Sequence, residues 1–238
     1  PDASGRIFWR DAMVGQLVKG DALYQPRAEV RSSSLLEGEQ LKSVQDRLNA
    51  FALSWPREIL ARAVALEGET LTGTARGIAY QVFESLGTLP SRNVNEMVKQ
   101  LDDDGRRQLA QHGIRLGVDM IYMPDLLKPA QIDAKALLYS LSTDERPECG
   151  PPPPGRVAID HVDGVSDGYW LATGYRRLGG RVMRVDMAER LSATVRAAAR
   201  EGEFRINEEM LSLAGATREQ MEEMIVDLGY RKSGEEPA

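Results

Sequence analysis

Between Gly113 and Leu141 the chain reads GIRLGVDMIYMPDLLKPAQIDAKALLYSL, and this run constrains the fold more than any other. Leu116, Val118, Met120 and Tyr122 alternate with Gly117, Asp119, Ile121 and Met123, the spacing of a short and rather buried strand. Pro124 suits the first position of a helix, where a missing N–H is no loss. Pro129 ends or kinks that short helix and pushes Lys128 toward extended geometry. Leu137, Leu138 and Leu141 then recur at helical spacing. The expectation is a strand running into two short helices, forming the apolar seam on which the preceding helices pack. No catalytic constellation lies in it.

Upstream, residues 1–33 read as a small β unit. Ile7-Phe8-Trp9 is one strand core, Val14, Leu17 and Val18 a second closed by Gly20-Asp21, and Pro26 to Val30 an edge-type third. So small a unit must dock on the helices that follow. A helical domain over 34–142 starts near Leu35. Leu41, Val44, Leu48, Phe51 and Trp55 form its first apolar stripe. Ser54 and Pro56 mark a boundary to a second helix, Arg57 to Leu66, stopped by Gly68. Thr72 caps a third with Ala75, Ile78, Ala79, Val82, Phe83 and Leu86 inward and Gly87 as its stop. Ser91 caps a fourth. The acidic run Asp102-Asp103-Asp104 opens a fifth that ends at His112-Gly113.

Residues 143–156, with four consecutive prolines, read as a stiff polyproline spacer and the best domain boundary. Beyond it, 157–232 changes character. Asp167 caps a short helix holding Tyr169, Trp170 and Leu171. Tyr175 to Leu178 and Arg181 to Val185, separated by Gly179-Gly180, read as a tight hairpin. Asp186 and Asn207 cap two further helices, and Thr217 with Gln220 forms a capping box opening the last. Residues 233–238 are a polar tail. The fold class is mainly α with small β elements (α+β): a β unit on a helical bundle, then a small winged-helix-like module.

The chemistry the chain excludes is clearer than what it performs. The pattern GxxxxGK[ST] is absent, so ATP binding by a phosphate loop is not expected of these 238 residues. One cysteine, Cys149, makes neither a disulfide framework nor a thiolate metal site, and points to a reducing, cytoplasmic setting. Two distant histidines, His112 and His161, give no metal cluster. His112 reads as a helix C-terminal cap, His161 as a loop residue with nothing paired to it. No apolar run is long enough for a membrane span. No nucleophile motif supports a stand-alone enzyme, so no catalytic residue, metal or resident cofactor is assigned.

Net charge of −6 argues against a uniformly basic nucleic-acid binder, so any such role rests on local patches. From Tyr175 to Arg200 there are seven arginines against Asp186 and Glu189; from Glu201 to Gly229 there are two against eight acids. Arg176, Arg177, Arg181 and Arg184 on the hairpin can grip phosphates through charge. Alternatively, the basic hairpin faces the acidic helices within the chain. The helix–turn–helix proportions of Met210 to Leu228 do not extend to groove reading, because Glu219, Glu222, Glu223 and Asp227 would repel phosphates. A milder basic lean surrounds the seam, where Arg106, Arg107, Arg115, Lys128 and Lys135 outnumber Asp119, Asp125 and Asp133.

Several phrases, in order, resemble the C-terminal region of bacterial, alphaproteobacterial-type superfamily 2 helicases related to the mitochondrial RNA-degradosome helicase. They are Ile7-Phe-Trp with Val14-Gly-Gln-Leu17, Thr74-Ala-Arg-Gly-Ile-Ala79, Gly113-Ile-Arg-Leu-Gly117, Pro124-Asp-Leu-Leu-Lys-Pro129 with Ala136-Leu-Leu138, and Arg184-Val-Asp-Met187 with Leu228-Gly-Tyr-Arg231. The resemblance implies an accessory, largely helical region that guides a strand leaving the motor. It implies that the ATPase core, with its ATP and Mg²⁺, lies upstream of Pro1. Residue by residue it points to Arg76, Arg115 and Lys128 as strand contacts. Leu116 stands where an aromatic is expected, leaving Tyr122 and Tyr139 as candidates for stacking. The expected function is an accessory nucleic-acid-binding region of an ATP-dependent RNA or DNA helicase. Its partners would be single-stranded RNA or DNA and the upstream helicase core, with no membrane. The alternative is a protein-interaction or scaffold module without nucleic-acid contact.

Overall fold

A computed structural model describes residues 1–31, 38–68 and 71–233. The expected helix start near Leu35 and nearly all of the polar tail lie outside the described residues. The architecture is mainly helical with three small three-stranded sheets, the α+β class expected.

Strands β1 (Arg6–Trp9), β2 (Ala12–Ala22) and β3 (Gln25–Val30) form an antiparallel meander. β2 runs past Gly20-Asp21, and the turn falls at Leu23-Tyr24 instead. Ile7, Leu17 and Ala28 bury against Leu48 and Ala52 of α1 (Gly38–Ile59) and Leu137 and Leu141 of α6 (Pro129–Thr143). The unit therefore docks on helices from both ends of the helical block. Gln45 of α1 donates to the Ala28 carbonyl at 2.6 Å and accepts the Val30 N–H at 3.1 Å. A helix side chain thus satisfies part of the β3 edge.

α1 differs from expectation at Pro56, which lies inside it. The Ser54 hydroxyl turns back to the Phe51 carbonyl instead of capping a new helix. Continuing through the buried Pro56 keeps Trp55 and Ile59 on the core, and the break comes at Leu60, before α2 (Ala61–Gly68). α3 (Gly73–Glu84) buries Ala75, Ile78, Ala79 and Val82 as its spacing requires; Thr72 stands at its cap position, but its side chain makes no capping bond. Gly87, at φ +84, ends the segment where a Cβ would run into Leu126. β4 (Thr88–Pro90) follows, then a 3-10 turn over Ser91–Val94 and α4 (Asn95–Gln100). Ser91 does not cap a helix; its hydroxyl donates to the Gly117 carbonyl. Asp102 caps α5 (Asp103–Gln111) by accepting the Gly105 N–H at 2.8 Å.

The seam holds the largest correction. It is not one strand but two short ones, β5 (Arg115–Leu116) and β6 (Met120–Tyr122), folded back at Gly117-Val118-Asp119. β4 pairs on the other side of β6. After a 3-10 turn over Pro124–Leu127, Lys128 is extended and Pro129 takes the first position of α6, which is long rather than short.

The proline-rich stretch lies against the rest of the chain. Pro152 is buried, the Tyr175 hydroxyl donates to the Arg156 carbonyl at 2.8 Å, and Glu145 accepts from the Ser166 hydroxyl at 2.6 Å. Ile132 and Ala136 of α6 share one apolar cluster with Val165, Tyr169, Trp170, Tyr175 and Val182 beyond the prolines. There β7 (Ala158–Asp160), β8 (Tyr175–Leu178) and β9 (Arg181–Arg184) form a sheet in the order β7-β9-β8, with the hairpin turning at Gly179-Gly180 as read.

Helices α7 (Asp167–Thr173), α8 (Val185–Ala199), α9 (Glu208–Ala214) and α10 (Arg218–Asp227) complete it. Two caps move by a residue or two. Ser166, held by Glu145, caps α7 in place of Asp167. Asp186 lies within the first turn of α8, where it takes the Met187 N–H and the Arg184 fork. Asn207 and the Thr217–Gln220 box cap as expected.

Candidate nucleic-acid interface

The hairpin arginines are mostly engaged within the chain. Arg181, with a side chain 12% exposed, pairs with Asp160 at 2.6 Å and donates to the Gly215 carbonyl at 3.0 Å. Arg184 makes a two-pronged bond to Asp186 at 2.7 and 2.9 Å. Arg176 is half-buried and pairs with Asp119 at 3.3 Å. Arg177 is exposed, and its guanidinium donates to the nearby Gly179 carbonyl. The acidic helix meets the hairpin turn directly: Asp227 accepts the Gly179 N–H at 2.6 Å and Glu223 the Gly180 N–H at 3.1 Å. This is the intramolecular match that the charge distribution allows. It also turns part of the acidic face of α10 toward the hairpin rather than toward a groove.

Arg76, Arg115 and Lys128 are all exposed. Arg76 lines a groove of about 360 Å³ between the β2–β3 turn, α2 and α3. Arg57 of α1 and Tyr80 of α3 line the same groove, and Tyr80 is 59% exposed. The floor is firm, because Tyr24 and Phe83 stack at 4.5 Å and the Tyr24 hydroxyl donates to the Phe83 carbonyl at 2.9 Å. Glu67 and Glu84 also line it. Lys128 borders the same α2 from the seam side: it pairs with Asp125 at 3.4 Å, and Arg62 of α2 pairs with the same carboxylate at 3.7 Å. Arg76 and Lys128, far apart in sequence, therefore both adjoin α2. Arg115 lies elsewhere, on β5 opposite Tyr122.

The aromatics named from sequence are built into the fold. Tyr122 is buried in β6, and burial pushes its phenol up. Tyr139 packs edge-on to Tyr169 and bonds to Glu145. Tyr80 follows the apolar pair Ile78-Ala79 in α3, so local sequence does not mark it as a surface ring; only its surroundings show that it faces water.

A second cleft, about 610 Å³, opens where the seam hairpin meets β8 and α10. Arg92, Arg176 and Arg177 line it together with Asp119, Asp167 and Asp227. Asp119 also has Arg196 at 3.9 Å. Beside it, Glu189 of α8 accepts the N–H groups of Val118, Asp119 and Met120 at 2.7, 2.8 and 2.6 Å. Burial pushes its carboxyl up, against the lowering pull of those donors. The three donors explain why the seam turns at Gly117, where a Cβ would strike both the carboxylate and the Met120 carbonyl.

Lys135, counted from sequence with the basic lean, is fully buried in α6. Among the described residues its Nζ has no hydrogen-bond partner, and neither has the Thr88 hydroxyl. Both approach Gly174, where a Cβ would stand 3.2 Å from the amine and 3.8 Å from the hydroxyl. Burial lowers the amine from the ordinary lysine value to about 7. His161 is not an isolated loop residue, for its ring packs edge-on to Trp170. Asp104 of the acidic run is bonded to Gln108 and Arg107. Among the described residues no group of three or more His, Cys, Asp or Glu side chains gathers as a metal would need, and no helix is long and apolar enough to cross a membrane. No family model, curated protein or solved structure matches the chain.

Proposed function

We propose that this chain is an accessory nucleic-acid-binding region of an ATP-dependent RNA or DNA helicase, working in the cytoplasm. The motor, with its ATP and Mg²⁺, belongs to a region upstream, and this part holds the strand without chemistry of its own. One observation carries the reading: Arg57, Arg76 and the exposed ring of Tyr80 line a single groove. A cation and an open aromatic face are what an unpaired strand requires, because phosphates need charge and every base has a π-face. Arg62 of α2 and Lys128, which share the Asp125 carboxylate, leave a net positive charge beside the same helix. The order of the helicase-like phrases along the chain supports the parent activity, and Arg76 lies inside one of them.

The test is fluorescence anisotropy with labelled single strands of oligo-U and oligo-dT, about 20 nucleotides long. Binding is expected at about 50 mM salt and weakens about tenfold or more by 200 mM, since each phosphate contact releases counterions. Tyr80→Ala, and Arg57→Ala with Arg76→Ala, each weaken it about tenfold at constant salt. No binding at low salt would overturn the proposal.

A further inference from the structure

The β1–β2 hairpin exposes two aromatic rings that the fold does not use. Trp9 is 70% exposed and Phe8 47%. Strict alternation from the buried Ile7 would send Phe8 outward and return Trp9 to the core face. The register of the pair shifts between Ile7 and Phe8: Ile7 lies opposite Gly15 but Phe8 opposite Met13, so the extra residue is Val14 on β2. Trp9, paired with Ala12 at the last position before the turn, stays in water. Arg10 then closes the turn in the left-handed region, at φ +53.

The surroundings of the rings are basic. The Arg6 guanidinium lies 5.7 Å from the Phe8 ring centroid. Arg31 reaches within 3.8 Å of the Met13 sulfur, across from Phe8. Arg10 is exposed at the tip beside Trp9. Of the nearby acids, Asp2 is bonded to Arg6, while Asp11 at the turn and Glu29, in register with Gln16 across from Arg6, are exposed. A stable protein interface needs about 800 Å² on each side with an apolar centre. Two rings bordered by Arg10, Asp11 and Ala12 do not make such a surface. Two exposed rings with Arg10 and Arg31 near them do match a single strand, with bases stacking on the faces and phosphates meeting the guanidiniums.

We infer that the β1–β2 hairpin is a second single-strand contact, with Trp9 and Phe8 stacking unpaired nucleobases while Arg10 and Arg31 meet the flanking phosphates. The inference rests on the single-strand reading above and adds to it a site on a different element from the α2–α3 groove.

The chain carries its own reporter. Of its three tryptophans, Trp170 is fully buried and Trp55 half-buried, so Trp9 is the one a strand can reach. The full chain is titrated at low salt with oligo-U and oligo-dT, following intrinsic fluorescence and anisotropy together. Tryptophan emission is expected to be quenched on binding, and Trp9→Ala to remove the quench and weaken binding about tenfold. Trp9→Phe restores most of the affinity without the quench, and Tyr80→Ala retains the quench at higher strand concentration. If the parent binds and Trp9→Ala binds equally well, the hairpin contact is overturned while the groove reading stands. If Trp9→Ala instead abolishes self-association in sedimentation and leaves strand affinity unchanged, the hairpin is a protein contact and the inference falls. If the parent binds no strand, both fall.

Discussion

Lys135 is the residue whose environment departs furthest from what its type suggests. From sequence it is one cation among five around the seam; in the fold it is buried in α6 with no hydrogen-bond partner for its amine among the described residues. An unpaired ammonium in an apolar site costs several kcal/mol, and it yields by losing its proton more readily than usual. The sign of the pH effect follows. With the folded value at about 7, below the ordinary lysine value, the unfolded chain holds more protons between those limits. Stability from this group therefore rises with pH above about 7, and the full burial cost is present below it. Lys135→Met is expected to raise stability by about 2 kcal/mol or more at pH ~6, with a smaller gain at pH ~9. Urea midpoints at the two pH values check this; an equal shift at both would show that the amine titrates normally. Trp9 and Tyr80 make the same point for aromatics, since local sequence gives their type and only the surroundings give their exposure.

At the scale of elements, three of the expected caps were legible because their bonds span three or four residues. Asp102, Asn207 and the Thr217–Gln220 box need nothing beyond their own turns. The seam was not, because its turn is made by a residue some seventy positions away. Glu189 holds three successive N–H groups that a two-residue strand leaves unpaired. Glu189→Gln is expected to cost about 1–3 kcal/mol, since one carbonyl replaces two acceptor oxygens and an amide N–H group faces donors. Gly117→Ala should cost about 2 kcal/mol by forcing the carboxylate and the Met120 carbonyl apart. Thermal unfolding measures both, and faster amide exchange at Val118 to Met120 locates the effect in the turn. Unchanged exchange there would show that Glu189 does not hold the hairpin.

On the scale of the whole molecule, the proline-rich stretch reads as a spacer, yet the apolar cluster around Trp170 joins α6 to the C-terminal sheet across it. Halves that share a core are expected to unfold together. Near- and far-ultraviolet circular dichroism during heating should give coincident transitions; two separated steps would show that the halves are independent. The sequence by itself determined the mainly helical class, the β-hairpin at Gly179-Gly180, the caps at Asp102, Asn207 and Thr217, and the apolar faces, because periodicity and capping are encoded within a few turns of chain. Tertiary structure alone decided the rest. It spent Arg181 and Arg184 on internal pairs, buried Lys135, folded the seam in two over Glu189, and brought Arg57, Arg76 and Tyr80 to one groove. A side chain's charge or ring is written in the sequence. Whether that group is used up inside the fold or left facing water depends on partners that only the folded chain brings together.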